Sequence, residues 1–360
     1  MTSRPERVCA AGLTLADGWA WAEACGAARL GLGVPAEVLA PRGVVLAPAD
    51  IMGSLPSGAS RYALACGEQA AAPDMAALAD ALGAVMRVAG VEFAALCLAA
   101  PAWGRTVYQG HLFAGGRHMG GLAAAMRGQL PGRAAVVGQE IVAQGVGAIT
   151  QRLHALKAAD VSVAVIDSID EAGCLSVAAA CAGQIVVVGP AWLAPAGTAE
   201  VVPGAAGPVA VLAGACDRQT LYQLGAARGA ARFLQLNFTE GGVAEAVAWA
   251  GAPTAPCVIA TSAPPDRLTA GADAAAALGA VARGLAAAGW RRFVLAGNDS
   301  AAAIVAALGV TELARGPAAG GLRWWHGGGY SFLLKPGGFG GRDLFRDLME
   351  PQIGLNSAAE

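Results

Sequence analysis

YSFLLKPGGFGGRDLF, residues 330–345, joins an apolar run to a glycine-rich turn and then to a new segment beginning at Arg342-Asp343. That order predicts a β-strand feeding a loop that opens a helix, the unit from which parallel α/β sheets are built. Such a loop can cradle an anion. Glycines let backbone N–H groups approach a phosphate, a helix N-terminus adds partial positive charge, and a lysine supplies a point charge. Lys335 is one of only two lysines in the chain, with Lys157, against twenty-two arginines. Pro336 removes one backbone donor and stiffens the turn beside it.

Outward from this stretch, the C-terminal half alternates short apolar runs with alanine-rich segments. Val209–Ala213, Phe233–Asn237, Cys257–Ala260 and Arg292–Ala296 read as strands. Leu221–Gly229, Val243–Trp249, Ala272–Ala288 and Ala301–Leu308 read as helices. Three strands run into polar or glycine-containing loops, at Gly214–Thr220, Gly297–Ser300 and Lys335–Gly341, and parallel neighbours would bring all three to one sheet edge. Asp299-Ser300 also suits a helix N-cap, which needs only a side-chain oxygen at that place. Trp324-Trp325-His326 fits either packing beside a strand or an aromatic face for a base.

The N-terminal half has the same alternation. Thr14–Leu30 reads as a helix ended by Gly31 and Gly33, Val44–Ala47 as a short strand, and Asp74–Ala89 as a helix with Met75, Leu78, Leu82 and Met86 on one face. Val91–Ala99 reads as a strand that runs into a loop carrying Arg105, Thr106, Gln109 and His111, polar groups where open α/β sheets bind ligands; a surface hairpin is the other reading. Gln139–Lys157 reads as a helix, Val161–Ile166 as a strand, Ser176–Ala182 as a helix and Ile185–Val188 as a strand. The nearly uncharged Ala194–Pro208 segment marks a boundary. The expected architecture is two α/β domains with mostly parallel sheets, residues 1–197 and 205–360, with an active site in the cleft between them.

Composition excludes several classes. The chain has 360 residues, 56% of them hydrophobic and 14% charged, and a formal net charge of -2. The apolar excess is largely alanine, and the longest uncharged stretch, Ala172–Ala199, is broken by Gly173, Gln184, Gly189, Pro190 and Pro195, which argues against a membrane span. No basic block suggests a nucleic-acid partner. The N-terminus shows no signal-peptide pattern, which points to the cytoplasm. The eight cysteines are scattered without a C-x-x-C pair and suit small buried hydrophobes, and the four histidines are too dispersed for a metal site.

Read together and in order, the loops and the segment GRTVYQGHLF make the chain resemble the four-carbon acid sugar kinase family over nearly its whole length. A G-R-T-x-x-x-G-H segment is kept as Gly104, Arg105, Thr106, Gly110 and His111. A G-S-C-S-x-x-T-x-x-Q loop corresponds to Gly214, Ala215, Cys216, Asp217, Thr220 and Gln223. A G-G-E-T-S-G-A loop corresponds to Gly297, Asn298, Asp299, Ser300 and Ala301–Ala303, and a K-S-G-N-F-G loop to Lys335, Pro336, Gly337, Gly338, Phe339 and Gly340. The family's A-D-D-L-T-G-A opening is replaced by Ala10–Ala16, followed by Asp17, and its K-x-D-S-T-x-R-G-N run is absent from Arg61–Pro73.

The resemblance implies an N-terminal domain for a small acid sugar, a C-terminal nucleotide domain, and transfer of the γ-phosphoryl of ATP to a sugar hydroxyl. It implies ATP and Mg²⁺ as cofactors, a small-molecule acid sugar as partner and a homodimer as an oligomeric option. On that basis Lys335, Gly337, Gly338 and Gly340 would hold phosphates together with Gly214, Asp217, Gly297, Asn298, Asp299 and Ser300. Asp299 or Asp217 could contact Mg²⁺. Arg105, with Thr106, Gly110 and His111, would meet the substrate, the arginine taking its carboxylate. Asp17 or His111 would serve as base. The replaced acidic pair leaves open a second reading, a non-catalytic sugar-acid or nucleotide-binding protein on the same fold.

Overall fold

The computed structural model describes residues 8–12, 29–32, 44–48, 61–65, 75–130, 132–193, 201–237, 241–264, 274–335 and 339–350. The chain divides into two compact units, Met1–Ala199 and Glu200–Glu360.

In the first unit, strands β1 (Val8–Gly12), β2 (Arg29–Leu32), β3 (Val44–Pro48) and β4 (Arg61–Ala65) precede helix α1 (Met75–Ala89) and strand β5 (Ala94–Leu96). β6 (Arg105–Tyr108), β7 (His111–Ala114) and β8 (Arg117–Gly121) follow, then α2 (Leu122–Gln129), β9 (Arg133–Val137), α3 (Gln139–Val142), α4 (Val146–Ala158), β10 (Val161–Ile166), α5 (Glu171–Ala180) and β11 (Val186–Gly189). The main sheet has the order β2-β3-β1-β4-β11-β5-β10-β9, and every pairing in it is parallel. α1 buries Leu78, Leu82 and Met86 of the face its apolar spacing predicts, with Val85 beside them, while Met75 is only half-buried. β10 and β11 are buried along nearly their whole length, as expected of strands covered on both faces.

Several expectations change here. Arg29 and Leu30 belong to a strand, not to the end of a helix; the rest of that expected helix lies outside the described residues, as does Asp17. The strand expected over Val91–Ala99 is only Ala94–Leu96. The helix expected over Gln139–Lys157 is broken at Gly145, whose φ of 90° no continuous helix tolerates. Of the two readings of the segment after β5, the structure has the hairpin and not the loop, and a third strand extends it to an antiparallel sheet, β6-β7-β8. Gln109 and Gly110, at φ 49° and 73°, make the two-residue turn that matches strand twist in a hairpin.

The second unit runs β12 (Val209–Ala213), α6 (Arg218–Ala227), β13 (Arg232–Gln235), α7 (Gly242–Ala250), β14 (Cys257–Ala260), α8 (Ala274–Ala287), β15 (Arg292–Ala296), α9 (Asn298–Ala307), β16 (Glu312–Ala319), β17 (Leu322–Gly327), β18 (Tyr330–Lys335) and α10 (Leu344–Met349). Its strand order is β13-β14-β12-β15-β18-β17-β16, with the first five mutually parallel and the last two antiparallel. The sequence reading contained the five parallel strands and missed β16 and β17. Glycines and an exposed Gly320-Gly321 turn blur their alternation. On one side of the sheet Val211, Val258, Val294 and Leu333 pack with Leu224 from α6 and with Phe345, Leu348 and Met349 from α10. Trp324 and Trp325 are buried at 4% and 0% exposure, so they pack rather than offer a face to a base. Among the described residues no helix is long and apolar enough to cross a membrane.

Candidate active site

In the second unit, register decides what meets at the sheet edge. Gln235 pairs with Ala260, Ala260 with Ala213, Ala213 with Ala296, and Ala296 with Lys335. The last residues of five parallel strands therefore form one row, and the loops that follow them start side by side. The row brings together the loops containing Gly214, Asp217, Gly297, Asn298, Asp299 and Ser300 with Lys335. Gly337 and Gly338 lie outside the described residues.

The loops are closely seated. The N–H groups of Gly214 and Ala215 both donate to the Ala296 carbonyl, at 2.8 and 3.0 Å. A Cβ on Gly214 would lie 1.9 Å from Ser300 Oγ, and one on Gly297 would lie 2.9 Å from the Ala215 nitrogen. Gly297, at φ 116°, enters α9 without any side-chain cap. Asp299-Ser300 is therefore not the cap that the sequence allowed. Asn298 and Asp299 are exposed, Ser300 is buried, and the first N–H groups of α9 remain donors of the kind that helix N-termini offer to anions.

Lys335 is fully buried at the end of β18. Its Nζ donates to Thr220 Oγ1, whose hydroxyl donates to Asp217 Oδ2 at 2.6 Å. Asp217 caps α6, with Oδ1 accepting from the Thr220 N–H at 2.9 Å. Burial lowers the Lys335 pKa to about 8, against the opposing pull of Asp217. Burial acts to raise the Asp217 pKa, but the bonds from the Thr220 hydroxyl and N–H, with Lys335, prevail and hold it below the usual carboxylate range. Both Asp217 oxygens are engaged within the protein, so the exposed Asp299 is the carboxylate better placed for a metal ion that accompanies a ligand. Among the described residues no group of three or more His, Cys, Asp or Glu side chains could hold a metal on its own.

The turn after Lys335 is held from α6. Gln223 Nε2 donates to the carbonyls of Phe339, Gly340 and Gly341 at 2.9, 3.2 and 2.9 Å, and Gln219 Nε2 donates to Gly340 at 2.7 Å. Gly340, at φ 87°, leaves no room for a Cβ, which would meet Leu344 at 2.6 Å. Gln219, Thr220 and Gln223 were not among the expected ligand residues, Thr220 and Gln223 being only part of a motif. The signal was present as the spacing 217, 220, 223, which is one face of a helix.

In the first unit, Arg105 is 2% exposed and its Nε donates to the Leu98 carbonyl at 2.7 Å. Thr106 pairs with Phe113, and His111 lies across from Tyr108. The hairpin turn is fixed by Asp167, which accepts from the N–H groups of Gln109, Gly110 and Gln139 at 2.6, 2.9 and 3.2 Å. Gly110 is required, because a Cβ there would lie 2.7 Å from Val136. His111 is exposed, and its Nδ1 lies 2.8 Å from His118 Nε2, a hydrogen bond between neighbouring strands.

Charged and polar donors converge at the carboxyl edge of the parallel strands in the second unit, the edge at which open α/β sheets take their ligands, and the chain carries a second α/β unit beside it. Comparison with known proteins agrees. Residues 210–345 match a nucleotide-binding C-terminal domain model, and residues 72–200 match a sugar-binding N-terminal domain model. A 3-oxo-tetronate kinase of Cupriavidus necator is 30% identical over 312 residues, covering 73% of this chain and 72% of the relative. One from Methylobacterium radiotolerans is 32% identical over 327 residues, 76% of each chain. Solved structures share the fold. A Salmonella typhimurium LT2 protein with a provisional tRNA synthase label has a TM-score of 0.79 at 21% identity over 95% of this chain and 98% of its own. A Haemophilus influenzae protein has 0.69 at 20% identity over 94% and 98%. The chain belongs to the four-carbon acid sugar kinase family.

Proposed function

We propose that this chain is an ATP-dependent kinase that phosphorylates a hydroxyl of a small four-carbon acid sugar of the tetronate type. Membership of the family carries the coarser assignment, a carbohydrate-acid kinase. The observation that carries the nucleotide part is the row of strand ends leading to the buried Lys335.

Phosphoryl transfer asks the protein mainly for in-line positioning and for neutralisation of charge on the transferring oxygens. Lys335, the first N–H groups of α9 and the glycine turn, with Gly214, Gly297, Asn298, Ser300, Gly337, Gly338 and Gly340, would hold the phosphates. Mg²⁺ bound with the nucleotide would neutralise further charge, with Asp299 contacting it directly or through water. In the first unit, Arg105 is the proposed partner of the substrate carboxylate, because a guanidinium already held by Leu98 can present its fork in a fixed plane. Thr106 and Gly110 would shape that subsite. His111 is the proposed base, its ring oriented by His118, and Asp17 is the alternative.

The test is turnover of Mg-ATP with a panel of tetronates and related sugar acids, run beside Lys335→Ala. ADP and a phosphorylated sugar acid are expected from the wild type, with activity lost in the variant. Absence of ATP consumption across the panel, with native folding, would overturn the kinase assignment for this chain.

A further inference from the structure

We propose that Thr220 is a positioning residue of the phosphate cradle, its hydroxyl holding the Lys335 ammonium at the sheet edge and linking that charge to Asp217. The direction of the chain of bonds is fixed by chemistry. An ammonium has only hydrogens to give, so Thr220 Oγ1 accepts from Lys335, and its single hydrogen goes to Asp217 Oδ2 at 2.6 Å. All three atoms lie in a region where Thr220 and Lys335 are fully buried. A buried ammonium without an acceptor is costly and surrenders its proton. The Phe345 ring lies 6.0 Å from Nζ, and Asp217 is the charge that acts on it to favour protonation. The hydroxyl is the bridge between the two.

A capping role alone explains less. The cap of α6 uses the backbone N–H of residue 220, which valine or serine there retains. The hydroxyl is additional, and its loss leaves the helix start in place while removing an acceptor that the ammonium uses. This inference rests on the nucleotide reading only for its second readout.

Two variants of the full chain test it. Thr220→Val keeps the shape and removes the hydroxyl; Thr220→Ser keeps the hydroxyl. With only Lys157 and Lys335 in the chain, a side-chain lysine NMR titration resolves each group, and Lys335→Met assigns the signals. The Lys335 midpoint is expected to move to lower pH in Thr220→Val and to return in Thr220→Ser. Binding of a non-hydrolysable ATP analogue at pH 7.5 is expected to weaken roughly tenfold in Thr220→Val and to recover in Thr220→Ser. An unchanged or raised Lys335 midpoint in a folded Thr220→Val overturns the proposal. A lowered midpoint in Thr220→Val, beside a wild type that binds no nucleotide, would uphold the role of Thr220 on Lys335 and refute the nucleotide reading instead.

Discussion

Gln223 Nε2 lies 2.9 Å from the carbonyl oxygen of Phe339, so a side chain of α6 grips the Phe339–Gly341 segment. The same nitrogen reaches the carbonyls of Gly340 and Gly341, and Gln219 adds a second bond to Gly340. In a planar trans peptide the N–H points opposite to its C=O. Carbonyls drawn toward α6 therefore turn the N–H groups of Gly340, Gly341 and Arg342 away from it.

Gln223→Leu keeps most of the volume and removes the donor. Three part-buried carbonyls lose a bond, Gly340 keeping the one from Gln219 and Gly341 the one from the Leu344 N–H, at a cost of about 0.5–1.5 kcal/mol, so the melting temperature should fall by a few degrees. Binding of ATP should weaken about tenfold or more while binding of adenosine, which makes no use of the turn, changes little. Calorimetric titration with both ligands checks this. Equal losses for the two would show that the glutamine supports the domain generally and not the turn.

How much of this was legible beforehand divides along physical lines. The five parallel strands and the edge at which Gly214, Gly297 and Lys335 meet follow from short apolar runs that each end in a glycine or polar loop, and the sequence prints those in order. The antiparallel sheet holding Arg105 and His111 leaves a loop and a hairpin both open in the sequence, and its third strand unannounced, because its strands are four or five residues long and their pattern is broken by glycines at 110, 115, 116, 120 and 121. The grip of Gln219 and Gln223 joins residues more than a hundred positions apart, and nothing local announces it. Asp299-Ser300 looked like a cap because capping depends on backbone angles; Gly297, at φ 116°, occupies that place.

The seating of Gly214 against Ser300 predicts coupling between two loops. A Cβ on Gly214 would overlap Ser300 Oγ at 1.9 Å but would meet Ser300 Cβ at 3.1 Å, a tight contact that small shifts relieve. Gly214→Ala alone should cost about 1–3 kcal/mol, and adding Ser300→Ala should recover most of that loss. A double-mutant cycle by denaturant unfolding reads the coupling directly. Additive effects would mean that the loops accommodate the methyl group in some other way.

Asp167 predicts a dependence of the hairpin on one buried carboxylate. Asp167→Ala leaves the N–H groups of Gln109 and Gly110 without their acceptor, and loss of charged hydrogen bonds at a buried site costs about 1.5–3 kcal/mol each before relaxation. Backbone amide exchange at 109 and 110 should accelerate strongly, with a much smaller change in the second unit. Uniform acceleration across both units would instead indicate global destabilisation.

The last prediction concerns the charge on Lys335 and separates binding from stability. Burial lowers its pKa from an ordinary 10.5 to about 8, so below pH 8 the lysine is charged in both folded and unfolded chains and the folded state carries the whole desolvation penalty, about 3 kcal/mol. Between pH 8 and 10.5 the folded chain has released the proton while the unfolded chain still binds it. The penalty is relieved across that window, and this contribution to stability rises with pH until it levels off above 10.5. Lys335→Met, of similar length and uncharged, should therefore melt at or above the wild-type temperature at pH 7, with the advantage shrinking toward pH 10. The same substitution should abolish phosphate-dependent nucleotide binding, and wild-type affinity for ATP should itself decline as pH rises past 8 and the ammonium is lost. Thermal melts and ATP titrations of both proteins from pH 6.5 to 10 check the two signs together. A variant that is destabilised at pH 7 by more than it is at pH 10 would show that the buried charge stabilises the fold, and the assignment of Lys335 as a group held at a cost for its ligand would be wrong.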